Sequence, residues 1–423
     1  MDKVIIQGGK KLNGEIEISG AKNAVLPILA ATLLTEDTSI IKNVPEVVDV
    51  YTMAEILKSL GVTVNHQKNT IKVTPNKHKE FTAPYRLVST MRASICVLGP
   101  LLAKSGKARV SMPGGCVIGP RPIDLHLKGL RALGADISID HGYINAKGDS
   151  LKGAEIYLGG AFGSSVLATA NVMMAAVLAE GRTTIENAAC EPEIVDLSEF
   201  LIKMGAKIKG YSSPVIKIEG VKELHGAEHT VISDRIEAGT YMIAAAITNS
   251  ELTLKRTSVS HLGAVVDKLK EMGVKISKGS NAIKIIPNGD LRPIDIATLP
   301  YPGFPTDLQA QMMALMSIVD GISIITEKVY PRRFMHVSEL NRMGAQIYLE
   351  GPSAIVKGVR SLSGAPVMAS DLRASAALIL AGLVAGGTTE VLRVYHLDRG
   401  YEKFEEKFSK LGARIRREKE DIR

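Results

Sequence analysis

The chain has no tryptophan, three cysteines and only 4% aromatic residues in a length of 423. With rings this scarce, the cores have to be built from Ala, Val, Ile, Leu and Met. Cys96, Cys116 and Cys190 show no C-x-x-C spacing, which excludes a disulfide framework and a cysteine zinc site. The nine histidines are scattered, without an H-x-x-x-H pair, so no metal site is expected. No apolar run reaches the ~18–20 residues that span a bilayer. The longest, Val172 to Ala179 and Ala374 to Ala385, read as buried helices. The opening Met1 to Gly9 has no apolar h-region, so a cytoplasmic protein without a membrane partner is expected. Basic residues number 52 against 44 acidic, a net charge of +8, and they are dispersed except at Arg414, Arg416 and Arg417. Nucleic-acid binders concentrate such charge, often beside exposed aromatics, so no nucleic-acid partner is expected. A modest cationic excess suits anionic substrates, although solubility accounts for it equally well.

What the chain does have is one short pattern used six times. An apolar residue followed by apolar-Gly-Ala/Val closes Leu57 to Val62, Leu130 to Ala135, Leu201 to Ala206, Leu269 to Val274, Leu340 to Ala345 and Phe408 to Ala413. Successive motif glycines lie 73, 71, 68, 71 and 68 residues apart. Each copy reads alike: an apolar helix, a β-branched strand such as Thr183 to Glu186, an amphipathic helix ending at the motif glycine, then a strand pair. The Val172 to Ala179 helix is expected to end near Gly181 in a left-handed C-terminal turn. The unit is therefore about βαβαββ. Two α/β domains of three units each, helices inside and sheets outside, are favoured over a solenoid. Helices apolar all round, such as Ala24 to Leu34 and Ser375 to Val384, must be buried on every side.

Four groups of residues combine turn chemistry with isolated charge. Lys22 and Asn23 stand at the entry to an apolar helix, where cations and free amides bind phosphate or carboxylate; a solvated lysine at a helix start is the equal alternative. Met112 to His126 holds three glycines and three prolines around Cys116, with Arg121 nearby. A thiol there could act as acid or nucleophile with a lowered pKa, whereas Cys96, among Ile95, Val97 and Leu98, fits simple burial, and Cys190 fits it less clearly. Asp307 falls in the first turn of a Met-rich helix, where the helix dipole alone favours a carboxylate. Finally, Arg333, Arg373 and Arg399 occur in or just after equivalent loops of the second half, with Arg92 their counterpart in the first. Any one of them could be a surface ion pair. Several at equivalent positions favour an anionic site.

Taken together, Gly20-Ala21-Lys22-Asn23-Ala24, the Gly-Gly-Cys loop ending Arg121-Pro122-Ile123-Asp124-Leu125-His126, Glu191-Pro192-Glu193-Ile194-Val195-Asp196, Asp234-Arg235-Ile236-Glu237, Phe304-Pro305-Thr306-Asp307, Arg333-Phe334-Met335-His336, Asp371-Leu372-Arg373-Ala374-Ser375 and Asp398-Arg399-Gly400-Tyr401 closely resemble the UDP-N-acetylglucosamine 1-carboxyvinyltransferase family, nearly end to end. The resemblance implies the enolpyruvyl transferase fold, an inside-out α/β barrel of six repeats in two domains. The expected division is a catalytic domain of residues 1–20 plus 230–423 and a second domain, 21–229, carrying the Cys116 loop. The implied substrates are phosphoenolpyruvate and UDP-N-acetylglucosamine, with no metal or organic cofactor required.

The same resemblance implies that Lys22, Arg121 and Arg399 hold the phosphate of phosphoenolpyruvate. Asp307 would take the proton of the sugar 3-hydroxyl. Cys116 would supply a proton or form a phospholactoyl adduct, and it is the expected target of fosfomycin. Asn23, Arg92, Asp371 and Arg373 would complete the cleft, while Arg121, Pro122, Ile123, Asp124, Leu125, Val329 and Arg333 would contact the sugar nucleotide. Residues Met112 to Pro122 are expected to act as a lid. One segment departs from the family. Where Lys-x-Ser-Val-Gly is usual, this chain has Gly163-Ser164-Ser165-Val166-Leu167, without the lysine and with about three extra residues before it. A second paralogue with altered substrate use would carry such a change. Enolpyruvyl transfer to shikimate 3-phosphate, and a non-catalytic UDP-sugar sensor, are the competing readings.

Overall fold

The computed structural model describes residues 2–76, 80–114 and 122–419. The six motif glycines explain the repeat. Gly61, Gly134, Gly205, Gly273, Gly344 and Gly412 all have φ between 83° and 105°, the left-handed region that favours glycine. In five of the six, the residue after the glycine donates its N–H to the carbonyl five positions back. Ala135 does so to Leu130, Ala206 to Leu201, Val274 to Leu269, Ala345 to Leu340 and Ala413 to Phe408. This is a Schellman ending, whose flanking residues are apolar because they meet across the turn. The motif is thus a helix stop that also aims the chain into a strand.

Gly181 does not end a helix. Its helix, Val166–Ala176, stops earlier, and Gly181 (φ 89°) turns the chain directly into the strand Arg182–Glu186.

Every repeat makes one four-stranded sheet with the same wiring. In the third repeat the edge strand Glu155–Tyr157 runs parallel to Arg182–Glu186, which pairs antiparallel with Val215–Glu219, and that with Lys207–Lys209. Between these strands run the helices Val166–Ala176 and Pro192–Lys203, giving β-α-β-α-β-β. Among the described residues six such sheets occur, none closed on itself, and one extra two-stranded ribbon pairs Gly159–Gly160 with Gly163–Ser164. That ribbon is a small hairpin ahead of the helix Val166–Ala176. Ser165 then caps the helix, accepting from the Ala168 amide at 3.3 Å.

The chain forms two compact units. One takes both chain ends, up to Ser19 and from Ser233 onward; the other takes the segment from Gly20 to Ile232. Both crossings fall at the same point of a repeat, after an edge strand and before its apolar helix. Gly14–Glu17 pairs parallel with Leu252–Lys255, and Glu228–Thr230 with Ser39–Lys42. At the first crossing a side chain is excluded, since a Cβ on Gly20 would lie 1.7 Å from the Asn43 carbonyl oxygen.

Each unit has its own core. In the first, Arg235–Ile247, Gln309–Met316 and most of Leu372–Val384 are buried all round; in the second, Lys22–Ala31, Leu98–Ser105 and Val166–Ala176 are largely so. The apolar stretch expected as one helix from Ala24 to Leu34 is an α-helix to Ala31 and a 3-10 turn beyond it, Thr32–Leu34.

Candidate active site

In the first unit, the repeats bring two arginines from separate segments onto one carboxylate. Asp307 sits in the 3-10 turn Thr306–Leu308 that opens the helix Gln309–Met316. Arg333 precedes the helix Val337–Arg342, and Arg373 lies in the first turn of Leu372–Val384. Arg333 donates from Nη1 to Asp307 Oδ1 at 2.8 Å, and Arg373 from Nη2 to Oδ2 at 2.8 Å. The arginine side chains are 7% and 3% exposed against 27% for Asp307, so the carboxylate is the one member that solvent reaches.

Burial pushes the Asp307 carboxyl up, but Arg373 and Arg333 outweigh it and hold the group well below its ordinary 3.8. Arg373 is placed by its neighbour: Asp371 caps the helix, accepting from the Arg373 amide at 2.9 Å and the Ala374 amide at 3.2 Å. Arg373 Nη1 has no hydrogen-bond partner among the described residues. Behind the group, Gln311 Nε2 donates to the Asp307 carbonyl (3.0 Å), to Thr240 Oγ1 (3.2 Å) and to the Tyr401 hydroxyl (3.2 Å).

The remaining residues of interest in this unit are separately placed. Arg399 ends the 3-10 helix Val394–Arg399, while its neighbour Asp398 is bound by Arg417 at 2.6 and 2.9 Å. Val329 donates its amide to Glu327.

The second unit holds the other predicted residues. Lys22 opens the helix Lys22–Ala31, followed by Asn23, and its Nζ lies 3.2 Å from Asp49 Oδ2. Arg92 Nη2 donates to the Pro122 carbonyl at 3.0 Å, tying the start of the 3-10 helix Arg92–Val97 to the entry of the helix Asp124–Ala132. Pro122 and Asp124 are exposed, Ile123 is buried and Leu125 is half-buried. His126, also buried, faces Asn171 Nδ2 at 3.1 Å, and Asn171 also holds Ile95 O (2.9 Å) and Gly99 N (2.6 Å). Cys116 and Arg121 lie outside the described residues. Burial pushes the Cys96 thiol up to about 12, as its apolar setting predicts. Cys190 is pushed up by burial and by Glu191.

Sequence reasoning missed Asp49, Asn171, Glu327 and Thr306, polar groups whose work lies in holding other side chains. It also missed His336. Burial pushes His126 down to about 3, with Arg92 adding to it. It pushes His336 down to about 4, opposed by Asp371 and aided by Arg333. Both rings are therefore buried neutral. The unfolded chain takes up these protons near 6.5, the folded protein only near 4 and 3. Their stabilisation is complete above the unfolded value and is lost as pH falls through that interval. Urea midpoints are expected to drop between pH 7 and pH 5, and His126→Gln to flatten the drop. Equal drops in the two proteins would refute the assignment to His126.

The described residues thus form two units of three β-α-β-α-β-β repeats each, and in the first a carboxylate is clamped by two arginines. The structure matches the enolpyruvyl transferase NikO from Streptomyces tendae with a TM-score of 0.90 at 25% identity, covering 99% of each chain. It matches an EPSP synthase from Acinetobacter baumannii at 0.75 and 19% identity, covering 99% of this chain and 100% of that one, a likeness of fold. The family model for EPSP synthase (3-phosphoshikimate 1-carboxyvinyltransferase) matches residues 6–408. A UDP-N-acetylglucosamine 1-carboxyvinyltransferase of Methylacidiphilum infernorum is 57% identical over 417 residues, 99% of each chain. UDP-N-acetylglucosamine 1-carboxyvinyltransferase 2 of Carboxydothermus hydrogenoformans is 57% identical over 419 residues, again 99% of each. The chain belongs to the UDP-N-acetylglucosamine 1-carboxyvinyltransferase family.

Proposed function

We infer that this chain transfers the enolpyruvyl group of phosphoenolpyruvate to the 3-hydroxyl of UDP-N-acetylglucosamine and releases phosphate, the first committed step of peptidoglycan synthesis. The observation that carries the reading is Asp307, ionised and partly exposed between Arg333 and Arg373, in a chain 57% identical end to end to enzymes of that name. Addition of an alcohol to an enol phosphate needs a base for the hydroxyl, an acid for C3 and cations for the leaving phosphate. Asp307 takes the 3-hydroxyl proton as that oxygen bonds to C2, and Cys116 supplies the proton to C3. Loss of the C3 proton then expels phosphate and restores the double bond. Lys22, Arg121 and Arg399 are assigned to the phosphate, and Arg373 Nη1 is the buried donor open to the substrate carboxylate. Asn23, Arg92 and Asp371 complete this set.

For the sugar nucleotide we assign Arg121, Pro122, Ile123, Asp124, Leu125, Val329 and Arg333. The segment lacking the family lysine leaves Ser165 and the amides at the start of Val166–Ala176 as its contribution.

The test is phosphate release from phosphoenolpyruvate with UDP-N-acetylglucosamine or shikimate 3-phosphate as acceptor, with and without fosfomycin. Release with the UDP-sugar alone, blocked by fosfomycin, is expected. Binding of the UDP-sugar without release would turn the reading to a sensor, and release with shikimate 3-phosphate would change the acceptor. Cys116→Asp is expected to keep turnover and lose fosfomycin sensitivity. A variant that remains sensitive would show that the thiol is not the target.

A further inference from the structure

The residue after the first central strand of each repeat follows a rule with two exceptions. Asn43, Asn187, Arg256 and Arg393 occupy this position in four repeats, and each is left-handed, with φ of 53° to 58°. In the other two, Met112 and Glu327 stand there without a positive φ. Met112 opens the Gly-Gly-Cys loop. Glu327 opens the loop that leads through Val329 to Arg333, and its side chain is fully buried at 0% exposure.

A carboxylate taken out of water needs donors on both oxygens, and Glu327 has four. Its Oε1 accepts from Thr298 Oγ1 (2.6 Å) and from the amides of Val329 and Tyr330 (both 2.9 Å). Its Oε2 accepts from Thr306 Oγ1 at 2.8 Å. Thr306 has one hydroxyl proton, and Glu327 takes it. The Thr306 oxygen is thereby turned to accept, and it does so from Arg333 Nη1 at 3.1 Å, the same nitrogen that donates to Asp307 at 2.8 Å.

We propose that Glu327 is a positioning residue for this reaction: through Thr306 it orients Arg333 on Asp307, and through two amides it shapes the Val329 loop. The proposal rests on the reading of Asp307 as base and Val329 as a sugar-nucleotide contact. It touches no substrate, so its effect is carried by the two arms, and the arms can be separated.

The separation comes from Glu327→Gln. A glutamine keeps its one good acceptor where three donors converge, so its amide NH2 faces Thr306. The Thr306 proton then loses its acceptor while the loop amides keep theirs. Expected is a fall in kcat of roughly tenfold, with KM for the UDP-sugar and hydrogen exchange at Val329 and Tyr330 little changed. Thr306→Val, which breaks the same arm without touching the loop, is expected to match it. Glu327→Ala breaks both arms, so both KM and amide exchange are expected to rise in addition.

Wild-type kcat in both Glu327→Gln and Thr306→Val would overturn the proposal. So would equal losses in kcat and KM that track a lowered melting temperature across all three variants, the mark of a merely structural carboxylate. Failure of the functional reading is distinguishable, because it shows as no phosphate release by the unsubstituted enzyme with the UDP-sugar. Amide exchange at Val329 and Tyr330 in Glu327→Ala still decides the loop arm in that case, unchanged exchange overturning it.

Discussion

Asp307→Ala is expected to abolish measurable turnover while UDP-N-acetylglucosamine binding stays largely intact. A positioned general base contributes about 10²- to 10⁴-fold, and no other carboxylate shares Asp307's place between Arg333 and Arg373 among the described residues. The substitution has a second effect that follows from burial. Arg333 and Arg373 are 7% and 3% exposed, so without the carboxylate two desolvated guanidiniums lose the charge partner they share. Removing one partner of such a buried set costs about 3–5 kcal/mol. Asp307→Ala should therefore melt earlier than the unsubstituted protein. Asp307→Asn keeps a hydrogen-bonding amide, and it should lose turnover with a smaller loss of stability. Calorimetric titration with the UDP-sugar, beside phosphate release and thermal unfolding, reads all three quantities. Full activity in Asp307→Ala would remove it as the base.

The repeat was legible because its signal is local and repeated. The helix stop at Gly134 depends only on residues within six positions, so sequence spacing was enough to find it and its five copies. That Arg333 and Arg373 would meet was legible for a related reason, since equivalent loops of a repeated fold end near equivalent places. What the sequence did not disclose is which polar group holds which. Glu327 and Thr298 are 29 residues apart and Asn171 and His126 are 45 apart. Nothing in the composition of either stretch marks the pairing, which only the packing of one loop on another creates. Gly181 was misread for the opposite reason. Its left-handed geometry was anticipated, but the helix before it ends at Ala176, and the glycine serves the strand instead.

Arg373→Met is expected to shift the acid side of the pH–rate profile as well as to slow the reaction. The charge of Arg373 is the largest single influence that lowers the Asp307 carboxyl against the upward push of burial, followed by that of Arg333. With methionine there, burial is opposed by Arg333 alone, and the carboxyl protonates at a higher pH. The sign follows from the role. The base works ionised, so activity is lost as pH falls through its pKa, and a higher pKa brings that loss to a higher pH. The unsubstituted enzyme should show no acid limb from Asp307 in the range above 3.8, its ordinary value, whereas Arg373→Met should show one displaced toward neutrality.

Stability moves in the same sense. A depressed carboxyl stabilises the fold above its unfolded pKa and loses that stabilisation only as pH falls through the folded value, so the variant should lose acid resistance. Loss of a buried donor to the substrate lowers kcat by a further ~10²- to 10³-fold. Arg373→Lys should not restore the rate, because one ammonium cannot reproduce a guanidinium that bonds Asp307 through Nη2 while offering Nη1. Profiles of kcat/KM from about pH 5 to 8, where stability tends to be greatest, would decide the matter. Identical acid limbs in the two proteins would mean that Arg373 binds substrate without tuning the base.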